Sequence, residues 1–266
     1  MTTGRAVISA ADGGIVTNLR KVSFTLRLRR LRPGGKLPSV NSAILVAAGK
    51  GARMGAGVDK LFLEVAGRPV IAHTWRRFDE SPGISEIIVV VRRGRQNTFL
   101  KVAEQFQFKK PFRIVAGGRE RQDSVWNGLK ALSATAEIVA IQDAARPCTS
   151  RELIAATLKA AEESGAAVAA QPVTDTVKES TDGQFIQRTL DRSRLWSVQT
   201  PQTFRVEVIR RALAEVRHRG LIFTDDTSAC ELIGQPIRLV SSAAPNPKVT
   251  VPGDLPFIES LLIGES

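Results

Sequence analysis

The stretch from residue 42 to 60, SAILVAAGKGARMGAGVDK, constrains the fold more than any other part of the chain. Residues 43 to 47 form a short apolar run of the kind that makes a parallel strand buried on both faces. Glycines at 49, 51, 55 and 57 then break it. The strand therefore empties into a loop whose backbone can approach a ligand and leave N–H groups pointing at it. Arg53 and Lys60 add two positive charges beside those dipoles. That combination suits a polyphosphate. Two familiar loops do not fit. No Gly-Lys-Ser/Thr occurs, as a P-loop requires, and Gly49-Lys-Gly51-Ala-Arg-Met-Gly55 misses the G-x-G-x-x-G spacing by one residue. The plainer alternative is a glycine-rich turn between strand and helix carrying ordinary surface cations.

Beyond the loop the chain alternates between strands and helices. Residues 61 to 69 read as an extended segment closed by a turn, after which Pro69 opens a helix whose buried face is Val70, Ile71, Thr74, Trp75 and Phe78. Residues 86 to 91, 112 to 115, 137 to 142 and 166 to 170 read as further buried strands. Helices are expected over residues 96 to 106 and from Glu120 onward through Val125, Leu129 and Leu132. Thr149-Ser-Arg-Glu152 is a capping-box pattern opening another helix, to about residue 164. This alternation predicts an α/β fold with a Rossmann-like, mostly parallel sheet flanked by helices. Ligands bind such sheets beyond the carboxyl ends of the strands. Three polar clusters fall there: the glycine loop, residues 117 to 124, and Asp143-Ala-Ala-Arg-Pro147. Residues 172 to 194, with a turn at Asp182-Gly183, read as a β-hairpin arm leaving the sheet. Residues 195 to 204 return to the core, helices are expected at 206 to 216, 224 to 233 and 255 to 263, and 237 to 240 reads as a last core strand.

The net charge of +12 raises nucleic acid as a partner, but the charge is unevenly placed. Residues 1 to 40 carry eight basic residues against Asp12 alone, so the rest of the chain has a net charge of only +5. Residues 1 to 41 are expected to stand apart from a domain at 42 to 266, as a disordered tail or wrongly assigned start, then as a transit peptide, then as a nucleic-acid arm. With 5% aromatic residues and no interleaved basic-aromatic pattern, nucleic acid is not an expected partner. No apolar run is long enough for a membrane helix, so no membrane partner is expected either. Cys148 and Cys230 lack metal or disulfide spacing, and a reducing, cytoplasmic setting is the default.

The motifs in order resemble the 2-C-methyl-D-erythritol 4-phosphate cytidylyltransferase family. They are Ala47-Ala48-Gly49 with Gly51, Arg53-Met54 and Lys60; Gly-Gly-x-Glu-Arg-x-Asp-Ser at 117 to 124; Asp-Ala-Ala-Arg-Pro at 143 to 147; Asp-Thr-Val-Lys at 175 to 178; Asp191-Arg192; Leu195-Trp196; Thr-Pro-Gln at 200 to 202; Thr-Asp-Asp at 224 to 226; and Lys-Val-Thr at 248 to 250. The resemblance covers residues 42 to 263 and implies a nucleotide-diphospho-sugar transferase-like fold. It also implies transfer of CMP from CTP to methylerythritol phosphate with release of pyrophosphate, a requirement for Mg²⁺ or another divalent cation, and a homodimer formed through the hairpin arm.

By the same resemblance, Arg53 and Lys60 stabilise the transition state, and Arg192 and Lys248 position the substrate phosphate. Ala47, Ala48, Gly49, Gly51, Gly117, Gly118, Ser124, Asp143 and Ala144 hold the nucleotide. Arg146, Thr176, Thr200 and Thr224 hold the acceptor, and Asp143 is the candidate metal ligand. The residues leave plainer roles open: Asp123 or Ser124 as a helix cap, Asp143 as a buried partner of Arg146, and Thr224 as an N-cap. Asp59, Gln142 and Arg119 depart from the family pattern, and Asp59 could pair with Lys60. The rival functions are a ribitol-5-phosphate cytidylyltransferase and a non-catalytic nucleotide- or RNA-binding protein.

Overall fold

The computed structural model describes residues 16–18, 40–49 and 59–264. Its strands are β1 (Val16–Asn18), β2 (Val40–Ala47), β3 (Glu64–Val65), β4 (Arg68–Pro69), β5 (Glu86–Val91), β6 (Phe112–Ala116), β7 (Ala136–Asp143), β8 (Ala166–Pro172), β9 (Lys178–Glu179), β10 (Arg188–Thr189), β11 (Trp196–Arg205) and β12 (Arg238–Val240). Its helices are α1 (Val70–Asp79), α2 (Gln96–Phe106), α3 (Arg121–Lys130), α4 (Arg151–Ser164), α5 (Val206–His218), α6 (Asp226–Leu232) and α7 (Asp254–Gly264).

One sheet runs in the order β1-β6-β5-β2-β7-β11-β8-β12. β6, β5, β2 and β7 are mutually parallel, and β12 is parallel to β8. β11 lies antiparallel between β7 and β8, and β1 is antiparallel to β6. The continuous apolar runs have a direct cause, because side chains of a strand alternate between two faces and both faces here are covered. Ala43, Leu45, Ile87, Val89 and Val91 face a core completed by α1, α2, α4 and α7. Ile44, Ile88, Val90, Val139 and Ile141 face a second core completed by α3, α5 and α6. α1 buries Val70, Ile71, Thr74, Trp75 and Phe78, the positions its helical spacing indicates. Trp75 stacks on Phe108 with ring centroids 4.6 Å apart, anchoring α1 to the loop after α2.

Several local expectations need correction. α4 is capped by Ser150, whose side chain accepts from the Leu153 N–H, one residue beyond the expected Thr149. Thr149 is fully buried and donates its hydroxyl to Asn246 instead, so a long-range polar bond outcompetes the local cap. α3 is capped by Glu120 in a capping box with Asp123, so Asp123 is the reciprocal partner and Ser124 takes no cap role. α6 is capped by Asp225 rather than Thr224. β12 lies at the end of the sheet, not in its core, and Leu239 there is 42% exposed. β2 begins at Val40, and Val16–Asn18 pair with Phe112–Ile114.

The hairpin arm is present, with β9 pairing antiparallel to β10. Its turn is built by Asp182, whose carboxylate accepts from the Gln184 and Phe185 N–H groups at 2.8 and 3.0 Å, and by Gly183 at φ +71°.

Candidate active site

Because β6, β5, β2 and β7 are parallel, their carboxyl ends open on one edge of the sheet, where Ala48, Gly49, Arg92, Gly117, Gly118 and Asp143 meet. A cleft of about 590 Å³ lies over this edge, lined among others by Ala47, Ala48, Gly49, Lys60, Gly118 and Ser124. Asp143, Ala144 and Lys248 line it as well. Gly117 is required by packing: a Cβ there would stand 2.6 Å from the Ala48 Cβ and 2.8 Å from the Ser124 hydroxyl. The close approach brings the end of β2 against the start of α3. Ser124 then fixes the turn, accepting from the Gly118 N–H at 3.1 Å and donating to the Glu120 carbonyl at 3.2 Å.

The cleft is organised electrostatically around Asp143. Lys248 Nζ donates to Asp143 Oδ2 at 2.7 Å, Arg146 Nε lies 3.8 Å from the same oxygen, and Arg121 Nε lies 3.8 Å from Oδ1. Burial alone would raise this carboxyl, but Lys248, Arg121 and Arg146 together outweigh it and hold Asp143 below the usual carboxylate range. Asp143 is thus more than the partner of Arg146. Arg121 in turn reaches Asp226 at 2.7 Å, a carboxylate only 1% exposed and pushed upward by burial, with Arg121 offsetting part of that.

Beneath the cleft lies a buried amide network. Asn246 donates to the Thr200 carbonyl at 2.8 Å and to Gln199 Oε1 at 3.1 Å, and its own carbonyl accepts from Arg146 Nη1 at 2.6 Å. Gln142 donates to the Thr149 hydroxyl at 2.8 Å. Thr200 accepts the Asp143 N–H on its hydroxyl at 3.1 Å. It sits in an irregular stretch of β11 that contains a cis Thr200–Pro201 bond.

Most of the expected site residues therefore converge. Ala47, Ala48, Gly49, Lys60, Gly118, Ser124, Asp143, Ala144 and Lys248 line one cleft, Gly117 lines the adjoining cavity, and Arg146 and Thr200 support the floor. Lys60 donates to the Val249 carbonyl at 2.6 Å, which ties the start of its 3-10 turn, Lys60–Phe62, to the segment carrying Lys248. Asp59, expected beside Lys60, makes ion pairs with Arg92 at 3.0 Å and Arg95 at 3.5 Å and caps the same turn. Thr224 is exposed just ahead of the α6 cap. Thr176 and Arg192 lie on the exposed arm and do not line the cleft, and Arg192 donates to the Thr174 carbonyl. Gly51 and Arg53 lie outside the described residues.

Reading the sequence did not single out Arg121, Arg92 or Asn246. Arg121 carried a usable signal: a cation in the first turn of a helix opposes the helix dipole and needs a compensating partner. Arg92 comes directly after a buried strand. For Asn246 there was no local signal, since its partners lie 46 to 100 residues away.

Comparison with known proteins places this architecture. The model of the 2-C-methyl-D-erythritol 4-phosphate cytidylyltransferase family matches residues 41–263. The chain is 42% identical to the enzyme of that name from Pelotomaculum thermopropionicum, over 83% of this chain and 93% of the relative. It is 41% identical to that from Geobacillus thermodenitrificans, over 83% and 96%. Among solved structures it is similar to the 4-diphosphocytidyl-2C-methyl-D-erythritol synthase of Anaerococcus prevotii, with TM-score 0.75 and 29% identity over 85% of this chain and 96% of that one. The Thermus thermophilus cytidylyltransferase superposes with TM-score 0.68 at 32% identity, over 84% and 98%. The glycine-floored, cation-rich cleft at the strand ends is thus found in a chain that belongs to the 2-C-methyl-D-erythritol 4-phosphate cytidylyltransferase family.

Proposed function

We propose that this chain transfers CMP from CTP to 2-C-methyl-D-erythritol 4-phosphate, forming 4-diphosphocytidyl-2-C-methyl-D-erythritol and pyrophosphate. The observation that carries this reading is the cleft itself, a glycine-rich opening beyond the strand ends lined by both Lys60 and Lys248. Both substrates are anions, so the protein's task is to overcome their repulsion, align them and stabilise the charge gathering at phosphorus. An oxygen of the acceptor phosphate attacks the α-phosphorus of CTP, the bond to the β-phosphate oxygen breaks, and pyrophosphate leaves with the electron pair. The acceptor phosphate is already anionic near pH 7, and no general base is required.

Lys60 faces the nucleotide phosphates and shares that task with Arg53. Lys248, Arg146 and Thr200 form the acceptor side. Ala47 to Gly49 and Ala144 supply backbone around ribose and phosphates, and the Gly117-Gly118 turn held by Ser124 reads the cytosine edge. A Mg²⁺ ion fits the donors present. No group of three or more His, Cys, Asp or Glu is arranged to hold a metal among the described residues, but Asp143 offers one carboxylate oxygen. Mg²⁺ commonly takes its remaining ligands from substrate phosphates and water. When bound, such an ion would screen the triphosphate.

The working unit is a homodimer in which Thr176 and Arg192 of the arm reach the neighbouring subunit's cleft. Phe185 and Ile186 at the arm's end are 74% and 65% exposed, the apolar surface that a second subunit would cover. No helix among the described residues is long and apolar enough to cross a membrane, and both cysteines are free thiols, in keeping with a cytoplasmic enzyme.

The test is pyrophosphate release with each nucleoside triphosphate against methylerythritol phosphate and ribitol phosphate. Release with CTP and methylerythritol phosphate is expected. Release with ribitol phosphate only would overturn the acceptor, and no release with any pair would favour a binding protein.

A further inference from the structure

We infer that Asp226 is a positioning residue that keeps one carboxylate oxygen of Asp143 open for a divalent cation, by holding Arg121 away from it. Three cations converge on Asp143, but unequally. Lys248 at 2.7 Å and Arg146 at 3.8 Å both approach Oδ2. Oδ1 faces only Arg121 Nε among the described cations, at 3.8 Å and outside hydrogen-bond distance. The guanidinium that would otherwise close on Oδ1 is drawn to Asp226 Oδ2 at 2.7 Å.

Arg121 has unused donor capacity, since its buried Nη2 has no hydrogen-bond partner. A guanidinium with spare donors beside a carboxylate favours a short, forked pair. Asp226 opposes that collapse from a fixed position. It opens α6, where a helix N-terminus favours negative charge, directly after the Asp225 cap that bonds the Ser228 N–H at 3.1 Å. Arg121 opens α3, where the helix dipole disfavours a cation, and the two carboxylates at that end, Glu120 and Asp123, are engaged with each other's backbone in the capping box. Gln202 Oε1 accepts the Asp226 N–H at 2.9 Å and completes the support.

This rests on the functional reading above, which supplies the metal-bound triphosphate. The test compares the full-length protein with Asp226→Asn, Arg121→Gln and the double variant. Mn²⁺ affinity in the presence of CTP is read by electron paramagnetic resonance, and pyrophosphate release is read alongside it. Asp226→Asn is expected to weaken Mn²⁺ binding about 10- to 100-fold, the usual cost of losing a residue behind a metal ligand. Removing Arg121 as well should restore affinity to within about threefold of wild type, a non-additivity that a purely structural role does not produce.

A double variant as weak as Asp226→Asn, or an Asp226→Asn protein that binds Mn²⁺ like wild type, overturns the inference. Should Asp226→Asn fail to fold, Arg121→Met with Asp226→Leu replaces the buried pair by apolar side chains, an exchange that often preserves folding. Near-wild-type Mn²⁺ affinity in that protein supports the inference, and lost affinity overturns it. A wild-type protein that binds Mn²⁺ with CTP yet releases no pyrophosphate would sink the functional reading while leaving the Mn²⁺ comparison intact.

Discussion

The cleft and the arm hold their charged residues by opposite means. Lys248 meets a carboxylate nested above strands whose central side chains are buried, and the Asn246 network props up the same floor. Arg192, by contrast, leans on one backbone carbonyl of an exposed segment, and the arm's two strands pair over only two residues each. A cation acts on a reaction when its surroundings fix it before substrate arrives. The cleft meets that condition within one chain, while the exposed arm does not.

The largest effect should come from the buried side. Lys248→Ala removes the closest cation from Asp143 and, on the proposed reading, from the acceptor phosphate, and kcat/KM should fall by about 10²- to 10³-fold in steady-state assays. A loss below tenfold would mean the fixed side is not where the charge is needed.

Next is the floor. Asn246→Ala removes the 2.9 Å acceptor of the Thr149 hydroxyl and the side-chain donors to the Thr200 carbonyl and Gln199, and urea unfolding should show a loss of about 2–3 kcal/mol. Removing apolar surface from the arm with Phe185→Ser should change monomer stability by less than about 0.5 kcal/mol. Equal costs at the two sites would erase the contrast.

Third, if the proposed homodimer forms, Arg192→Ala should lower activity about tenfold, as for an exposed contact made only in the assembly. Co-refolding it with Lys60→Ala should then restore about a quarter of wild-type activity, because half the dimers would be hybrids and each hybrid would carry one intact site. A mixture no better than the two variants alone would place Arg192 outside the neighbouring cleft.

The smallest effect concerns acid. Burial would raise Asp225, but the Ser228 and Thr227 hydroxyls and the Ser228 N–H outweigh it and lower its pKa. A depressed carboxyl contributes stability that is present above the unfolded value of about 3.9 and lost as pH falls through the folded one. Asp225→Asn keeps a cap but should flatten this part of the stability profile below about pH 4, as read from urea midpoints at successive pH values.

Legibility in the sequence divides along the same line. β5 and α1 were legible because buried runs and helical spacing are local patterns, and Glu86–Val91 matched its expected bounds. The convergence at the strand ends was legible because parallel topology dictates it. The cap of α4 was misplaced by one residue because Thr149 answers to Asn246, 97 positions away. Arg121 was visible only as one letter of a motif, since its partner Asp226 belongs to another helix. That Gly117 lies too close to Ala48 and Ser124 for any side chain was likewise invisible before the elements were packed.

Lys60 is bonded to a carbonyl 189 residues further along the chain, and Asp143 waits 105 residues for Lys248. During synthesis, the strands that form the bed of the cleft emerge long before the lysine that arms it. A nascent or prematurely terminated chain ending short of residue 246 can therefore assemble most of its sheet while lacking a competent charge cluster. Competence is conferred only once the segment carrying Asn246 and Lys248 has left the ribosome.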